Sequence, residues 1–194
     1  MKLSAILTLA IAAVAQAAES GSRRLHGLHI APEGGVVIPP ENAPGYYHIT
    51  FSPDYKQILN VTFAPDGAAE LPNLQPRDEM ELHRRQLPIN YYRCFNPPQS
   101  LPERPWNAVW QEFSTWCNQG AAANPYSAIA RGWGGAVAWM CNKSNVVNRC
   151  YGGEYDIFVN WISVQCGGLT PAFADLDAFG KSYGRTLAGM AFCS

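Results

Sequence analysis

The chain has no histidine after His83, no cysteine before Cys94 and no tryptophan before Trp106. All four histidines (His26, His29, His48, His83) therefore lie on one side of the dibasic pair Arg84–Arg85, and all six cysteines and six tryptophans on the other. Three residue types segregating at a single step mark a border between two segments with different jobs. Beyond the first residues there is no apolar run long enough to hold the chain in a membrane.

Each absence removes a class of chemistry. Histidine is the usual general base near neutral pH and the usual orienter of Ser and Cys nucleophiles. Residues 86–194 lack it, which excludes from that segment a Ser-His-Asp hydrolase, a Cys-His protease, a His-dependent ribonuclease and a His-ligated metal enzyme. No CxxC pair occurs, and widely spaced cysteines without histidine fit zinc poorly. Lys and Arg are scattered singly after residue 85, which argues against a nucleic-acid surface. No cofactor is expected.

What is present begins with "MKLSAILTLAIAAVAQAAES": one charge at Lys2, an apolar run from Leu3 to Val14, then Ala15-Gln16-Ala17. This is the arrangement of a cleaved secretory signal, assigned to residues 1–17, and it predicts an exported, extracellular product. Residues 18–85 follow, with six basic and nine acidic residues. Their end, "APDGAAELPNLQPRDEMELHRR", is proline-punctuated and acidic, the composition of an exposed linker. A kexin- or furin-type protease, which must bind its substrate extended, is the partner such a linker predicts. Cleavage after Arg85 would make residues 18–85 a pro-segment and residues 86–194 the mature domain, beginning at Gln86. Arg23–Arg24 reads either as a second such site or as a solvated basic pair.

Cys94, Cys117, Cys141, Cys150, Cys166 and Cys193 are six thiols in a chain bound for an oxidising compartment, and three disulfides are expected. Six cysteines allow 15 pairings, and spacing does not choose among them. Two sequons, Asn60-Val61-Thr62 and Asn142-Lys143-Ser144, are candidate N-glycan acceptors, the second in an expected hairpin turn.

Periodicity supplies the elements. Tyr47, Ile49 and Phe51 alternate with His48 and Thr50, and after the Pro53-Asp54 turn a β-rich run follows to Phe63, so two strands are predicted. "PWNAVWQEFSTWCNQG" places Trp106, Val109, Trp110, Phe113 and Cys117 on one helical stripe, with Pro105 at the start and Gly120 at the stop. A short helical turn is expected between Asn124 and Gly132. "GGAVAWMCN" and "NVVNRC" read as a hairpin, "EYDIFVNWISVQC" as a helix stopped by Gly167-Gly168, and "LAGMAFC" as a closing strand. "CGGLTPAFADLDAFGKSYGR" reads as a long connection. The predicted fold is α+β: a small disulfide-rich two-layer sandwich, helices on one face of an antiparallel sheet, preceded by a β-rich pro-segment.

For catalysis, a glycosidase-like carboxylate pair is the chemistry left open, with Glu112, Glu154 with Asp156, and Asp175 with Asp177 as candidates. Each has a simpler reading: the polar side of a helix, a helix start, or a loop. No catalytic residue is therefore assigned. Tryptophans could instead form a sugar-stacking face, but four of the six fall on inward positions. Trp116 and Trp133 do not, and Trp133, between glycines in "RGWGG", is the candidate binding residue.

The helix "AVWQEFSTWC", hairpin "AVAWMC", helix "EYDIFVNWI" and closing "GRTLAGMAFC" resemble the element order of the fungal necrosis-inducing-factor and killer-toxin-like families. Signal, acidic segment, dibasic site and cysteine-rich domain are the layout of fungal small secreted effectors. The resemblance implies a ferredoxin-like sandwich acting outside the cell on a host or a competing microbe, without enzyme activity. The target it would meet there, a protein, a wall glycan or a membrane, stays open. A small secreted glycoside hydrolase and a wall-polysaccharide-binding module are the alternatives.

Overall fold

A computed structural model describes residues 27–42, 44–66, 87–96 and 99–194. Residues 1–17, the expected signal peptide, and both dibasic pairs lie outside the described residues. In chain order the elements are β1 (His29–Ile30), β2 (Val36–Val37), β3 (Gly45–Phe51), β4 (Ile58–Pro65), β5 (Tyr91–Cys94), α1 (Glu103–Asn118), β6 (Ala122–Ala123), β7 (Ser127–Trp133), β8 (Ala136–Asn142), β9 (Asn148–Arg149), α2 (Gly152–Cys166), β10 (Ala172–Leu176), β11 (Lys181–Leu187) and β12 (Ala191–Phe192). A 3-10 turn spans Asp177–Phe179.

Seven strands form one sheet in the order β4-β3-β7-β8-β11-β10-β5, every neighbouring pair antiparallel. The protein is thus a sheet-rich α+β fold. Both helices pack on one face, over a core that includes Val109, Phe113, Tyr155, Phe158, Met140 and Tyr183. The opposite face carries a second core around Tyr47, Ile49, Trp139 and Phe192, covered by a three-stranded sheet of order β1-β2-β12. That small sheet is a layer beyond the two expected. The strands of the large sheet flanking α1, β5 and β7, have three strands between them in this order, where a ferredoxin-like split βαβ unit has one.

The strand alternation of Tyr47, Ile49 and Phe51 sends these three to the second core, each 2% exposed or less. Tyr46 and His48 point the other way and meet Trp116 of α1 edge-on, ring centroids 4.9 and 5.1 Å apart. The helix α1 begins at Glu103, two residues before the expected start, and Pro105 sits in the first turn, where its missing N–H leaves no bond unmade. The helix α2 matches its prediction. Its start touches α1: Gly152 N–H donates to Asn118 Oδ1 at 3.0 Å, and a Cβ on Gly152 would lie 2.4 Å from that oxygen.

Five sequence expectations are corrected. Residues 127–133 are not a helical turn but β7, paired on both sides and buried from Ser127 to Gly132, so tertiary pairing overrides the helix preference of its alanines. β8 does pair in a hairpin, but with β7; the "NVVNRC" run instead supplies β9, which pairs with β6. The long connection after α2 contains β10 and β11. "LAGMAFC" is not one strand: β11 ends at Leu187, and β12 belongs to the small sheet, paired with β2. The two segments flanking Arg84–Arg85 do not have separate cores, since β3 and β4 complete the sheet built by residues after 86.

All six cysteines are paired: Cys94–Cys166, Cys117–Cys150 and Cys141–Cys193, with Cα separations of 5.5, 4.8 and 5.7 Å. The first ties the end of α2 to β5, and the second ties α1 to the segment between β9 and α2. The third pins the end of β12 to β8 across the second core.

Candidate functional site

The helix-facing side of the sheet buries cations. Lys181 and Glu154, with side chains 3% and 4% exposed, form an ion pair at 2.5 Å. Tyr183 donates its hydroxyl to the same Glu154 Oε2 at 2.9 Å, and Lys181 Nζ also donates to the Arg149 carbonyl at 3.2 Å. Burial, reinforced by the neighbouring Glu154 charge, holds the Tyr183 hydroxyl well above its ordinary range, so it remains a donor. Lys181 is further enclosed by the rings of Tyr151, Tyr183 and Phe179 at 5.3–5.5 Å.

Four residues beyond Lys181 on the same strand, Arg185 donates to the Thr170 carbonyl at 2.9 Å, to Ser163 Oγ at 2.9 Å and to the Gly167 carbonyl at 2.6 Å. Burial pulls its guanidinium down to about 10, still charged at neutral pH. Arg131 on β7 bonds to Glu112 at 2.5 Å and to Asp66 at 2.9 Å, and also to the Gly132 carbonyl.

These contacts account for the carboxylates singled out from sequence. Glu112 serves Arg131 and Glu154 serves Lys181. Asp156 accepts the indole N–H of Trp110 at 2.8 Å, and Asp175 pairs with Lys143 at 2.9 Å. Asp175 and Asp177 do not share a strand face: the first is on β10, the second exposed in the 3-10 turn. No group of three or more His, Cys, Asp or Glu among the described residues is arranged to hold a metal.

The tryptophans are mostly core. Trp116, which sequence placed poorly, is 2% exposed because α1 is covered by Tyr46 and His48 of β3 as well as by Phe113. Trp133, the expected binding residue, ends β7 half-buried against the helix-side core. Asn142 is fully buried, and its Nδ2 donates to the carbonyls of Ala123, Asn124 and Val146 at 3.1, 2.8 and 2.6 Å. A glycan on that nitrogen would break the hub of the turn, so the expectation of a tolerated glycan there does not match the folded structure. Asn60 is exposed on the edge strand β4.

On the opposite face, the small sheet leaves the β10–β5 end uncovered. There a run of rings crosses from the edge strand toward β12. Tyr91 meets Phe173 at 5.8 Å, Phe95 meets Phe173 at 5.8 Å, Phe173 meets Trp139 at 6.2 Å, and Trp139 stacks on Phe192 at 5.3 Å. Phe95, Trp139, Phe173 and Phe192 line a cleft with Ser182 and Lys143, about 260 Å³ counted out to its mouth. Arg93 lies over Phe95 at 5.4 Å, and the Lys143–Asp175 pair lies at the other rim. Trp139 Nε1 is buried without a hydrogen-bond partner. The cleft is too shallow to engulf a small molecule, which typically needs at least roughly 300 Å³ of well-enclosed space. It suits contact with a flat or extended surface. Sequence analysis missed it because Tyr91 and Phe95 sit just after the linker and Phe173 fell in the supposed connection.

No protein family, characterised protein or solved structure matches the chain. Nothing among these comparisons indicates the killer-toxin-like or necrosis-inducing families, and the closing strand on which that resemblance drew is two strands in different sheets.

Proposed function

We propose that the protein is an exported, disulfide-stabilised domain that acts by contact rather than by bond-making, of the effector or antimicrobial type, and that its target meets the aromatic cleft beside β5. The single observation carrying this reading is the uncovered run Tyr91–Phe173–Phe95, with Tyr91 53% exposed, on a fold whose buried charges are occupied in structural bonds. Rings flanked by Arg93 and the Lys143–Asp175 pair offer apolar area and directional polar contacts together. The three disulfides, and the absence among the described residues of any helix long and apolar enough to cross a membrane, are consistent with the exported state. Processing after Arg85 remains part of the proposal.

A second reading, a wall-polysaccharide-binding module, is favoured by the same rings, since sugars stack on exposed aromatic faces. One experiment separates the readings. The secreted protein and its Tyr91→Ala/Arg93→Ala variant are applied to host tissue and competing microbes, and in parallel to insoluble chitin and glucan. Contact action predicts a biological effect or retention on polymer that drops at least several-fold in the variant at unchanged melting temperature. Polysaccharide turnover by the wild-type chain would overturn the non-catalytic reading in favour of a glycoside hydrolase.

A further inference from the structure

The segment before the dibasic step is built into the fold. β3 pairs with β7 through six consecutive residues, Gly45–Thr50 against Gly132–Ser127. β2 pairs with β12, Val37 with Ala191 and Val36 with Phe192. Leu28, Val36, Ile38, Tyr47, Ile49 and Phe51, all from this segment, fill the second core against Ala128, Ala130, Trp139 and Phe192. The polar seam is equally specific: Arg131, with a side chain 3% exposed, bonds across the border to Asp66 and to the Gly45 carbonyl at 3.3 Å, and stacks over Tyr46. Tyr55 donates its hydroxyl to the Asn142 carbonyl at 2.5 Å.

No covalent bond other than the chain itself joins the two segments, because all three disulfides lie within residues 94–193. Loss of residues 27–66 would strip the edge of β7, leave Arg131 with one carboxylate instead of two, and remove the strand that holds β12. Phe192, stacked on Trp139, would lose its support, and with it one wall of the aromatic cleft. An unpaired central strand over an apolar face is not a stable surface in water.

We propose that residues 27–66 are a permanent part of the active protein. Scission between residues 67 and 86 then yields a two-chain molecule held together without a covalent link, not a discarded pro-segment and a free domain. The proposal rests on the processing reading only for its natural occurrence, and the two are tested apart. Intact mass of the secreted product under denaturing, non-reducing conditions reports whether processing occurs. For association, the purified full-length chain is cut with a kexin-type protease under native conditions, then compared by denaturing gel and by size exclusion with mass detection.

The expected result is two pieces on the denaturing gel and one particle of undiminished mass in the native run, persisting through a hundred-fold dilution, with target or polymer binding retained. Separation of the shorter piece, leaving residues 86–194 folded and binding-competent, would overturn the proposal. So would resistance of every bond between residues 67 and 86, which would rule out the two-chain form.

Discussion

Replacing Glu154 by Gln tests whether its carboxylate is structural. The substitution keeps shape and an acceptor for Tyr183 but leaves the Lys181 ammonium, 3% exposed, without its counter-charge. Breaking one partner of a buried pair typically costs about 3–5 kcal/mol. Lys181 retains the Arg149 carbonyl and three rings, which places the expected loss at the lower end, about 3 kcal/mol. For a chain of this size that corresponds to a fall in Tm of about 6–12 °C. Urea and thermal unfolding of the non-reduced protein provide the assay. Because the pair had to be desolvated to be buried, Glu154→Leu with Lys181→Met and Tyr183→Phe, the last removing the buried hydroxyl that loses its acceptor, should recover most of the loss. Stability of E154Q within about 1 kcal/mol of the parent, or a triple variant no better than E154Q, would refute the reasoning. A catalytic Glu154 would give the opposite pattern, turnover lost at unchanged stability.

Two further predictions concern packing and protonation. Gly184 faces Trp139 so closely that a Cβ would sit 2.0 Å from Cζ2 and 2.3 Å from Cε2 of the indole, which is also stacked with Phe192 at 5.3 Å. Gly184→Ala is therefore expected to destabilise by about 1–3 kcal/mol through overpacking, and Trp139→Phe in that background to recover part of it. Simple additivity in the double-mutant cycle would contradict this contact. Burial against Trp116 lowers the His48 pKa below its ordinary 6.5, so the unfolded chain binds this proton more readily than the folded one. His48 accordingly costs no stability above about pH 6.5 and costs progressively more as the pH falls from there through its lowered folded value. Melting at about pH 7.5 and pH 5 should differ less in His48→Phe than in the parent, and equal differences would remove His48 from the account.

The local elements legible in the sequence were those whose side chains repeat with the backbone. The stripe Trp106, Val109, Phe113, Cys117 specified α1, and the alternation Tyr47, Ile49, Phe51 specified β3 with its inward face. β7 was not legible, because "SAIARGW" is buried on both sides and so shows no alternation. β10 did carry a signal, with Ala172, Ala174 and Leu176 inward against Phe173 and Asp175, but small alanines weaken the contrast that periodicity depends on. The partners of Glu112, Glu154, Asp156 and Asp175, namely Arg131, Lys181, Trp110 and Lys143, were not legible, because they lie 19 to 46 residues away and share no local pattern with them.

Residue identity alone decided that residues 86–194 carry no imidazole and no basic cluster, and that six thiols were there to pair. Those are properties of side chains that folding does not alter. Which thiol met which, which carboxylate was neutralised, where rings were left uncovered, and that residues before Arg84–Arg85 complete the sheet were decided by tertiary structure. Each of these depends on strands far apart in the chain coming side by side. Such pairing is set by the total burial of two opposite faces, a sum over the whole molecule that no single stretch of sequence contains.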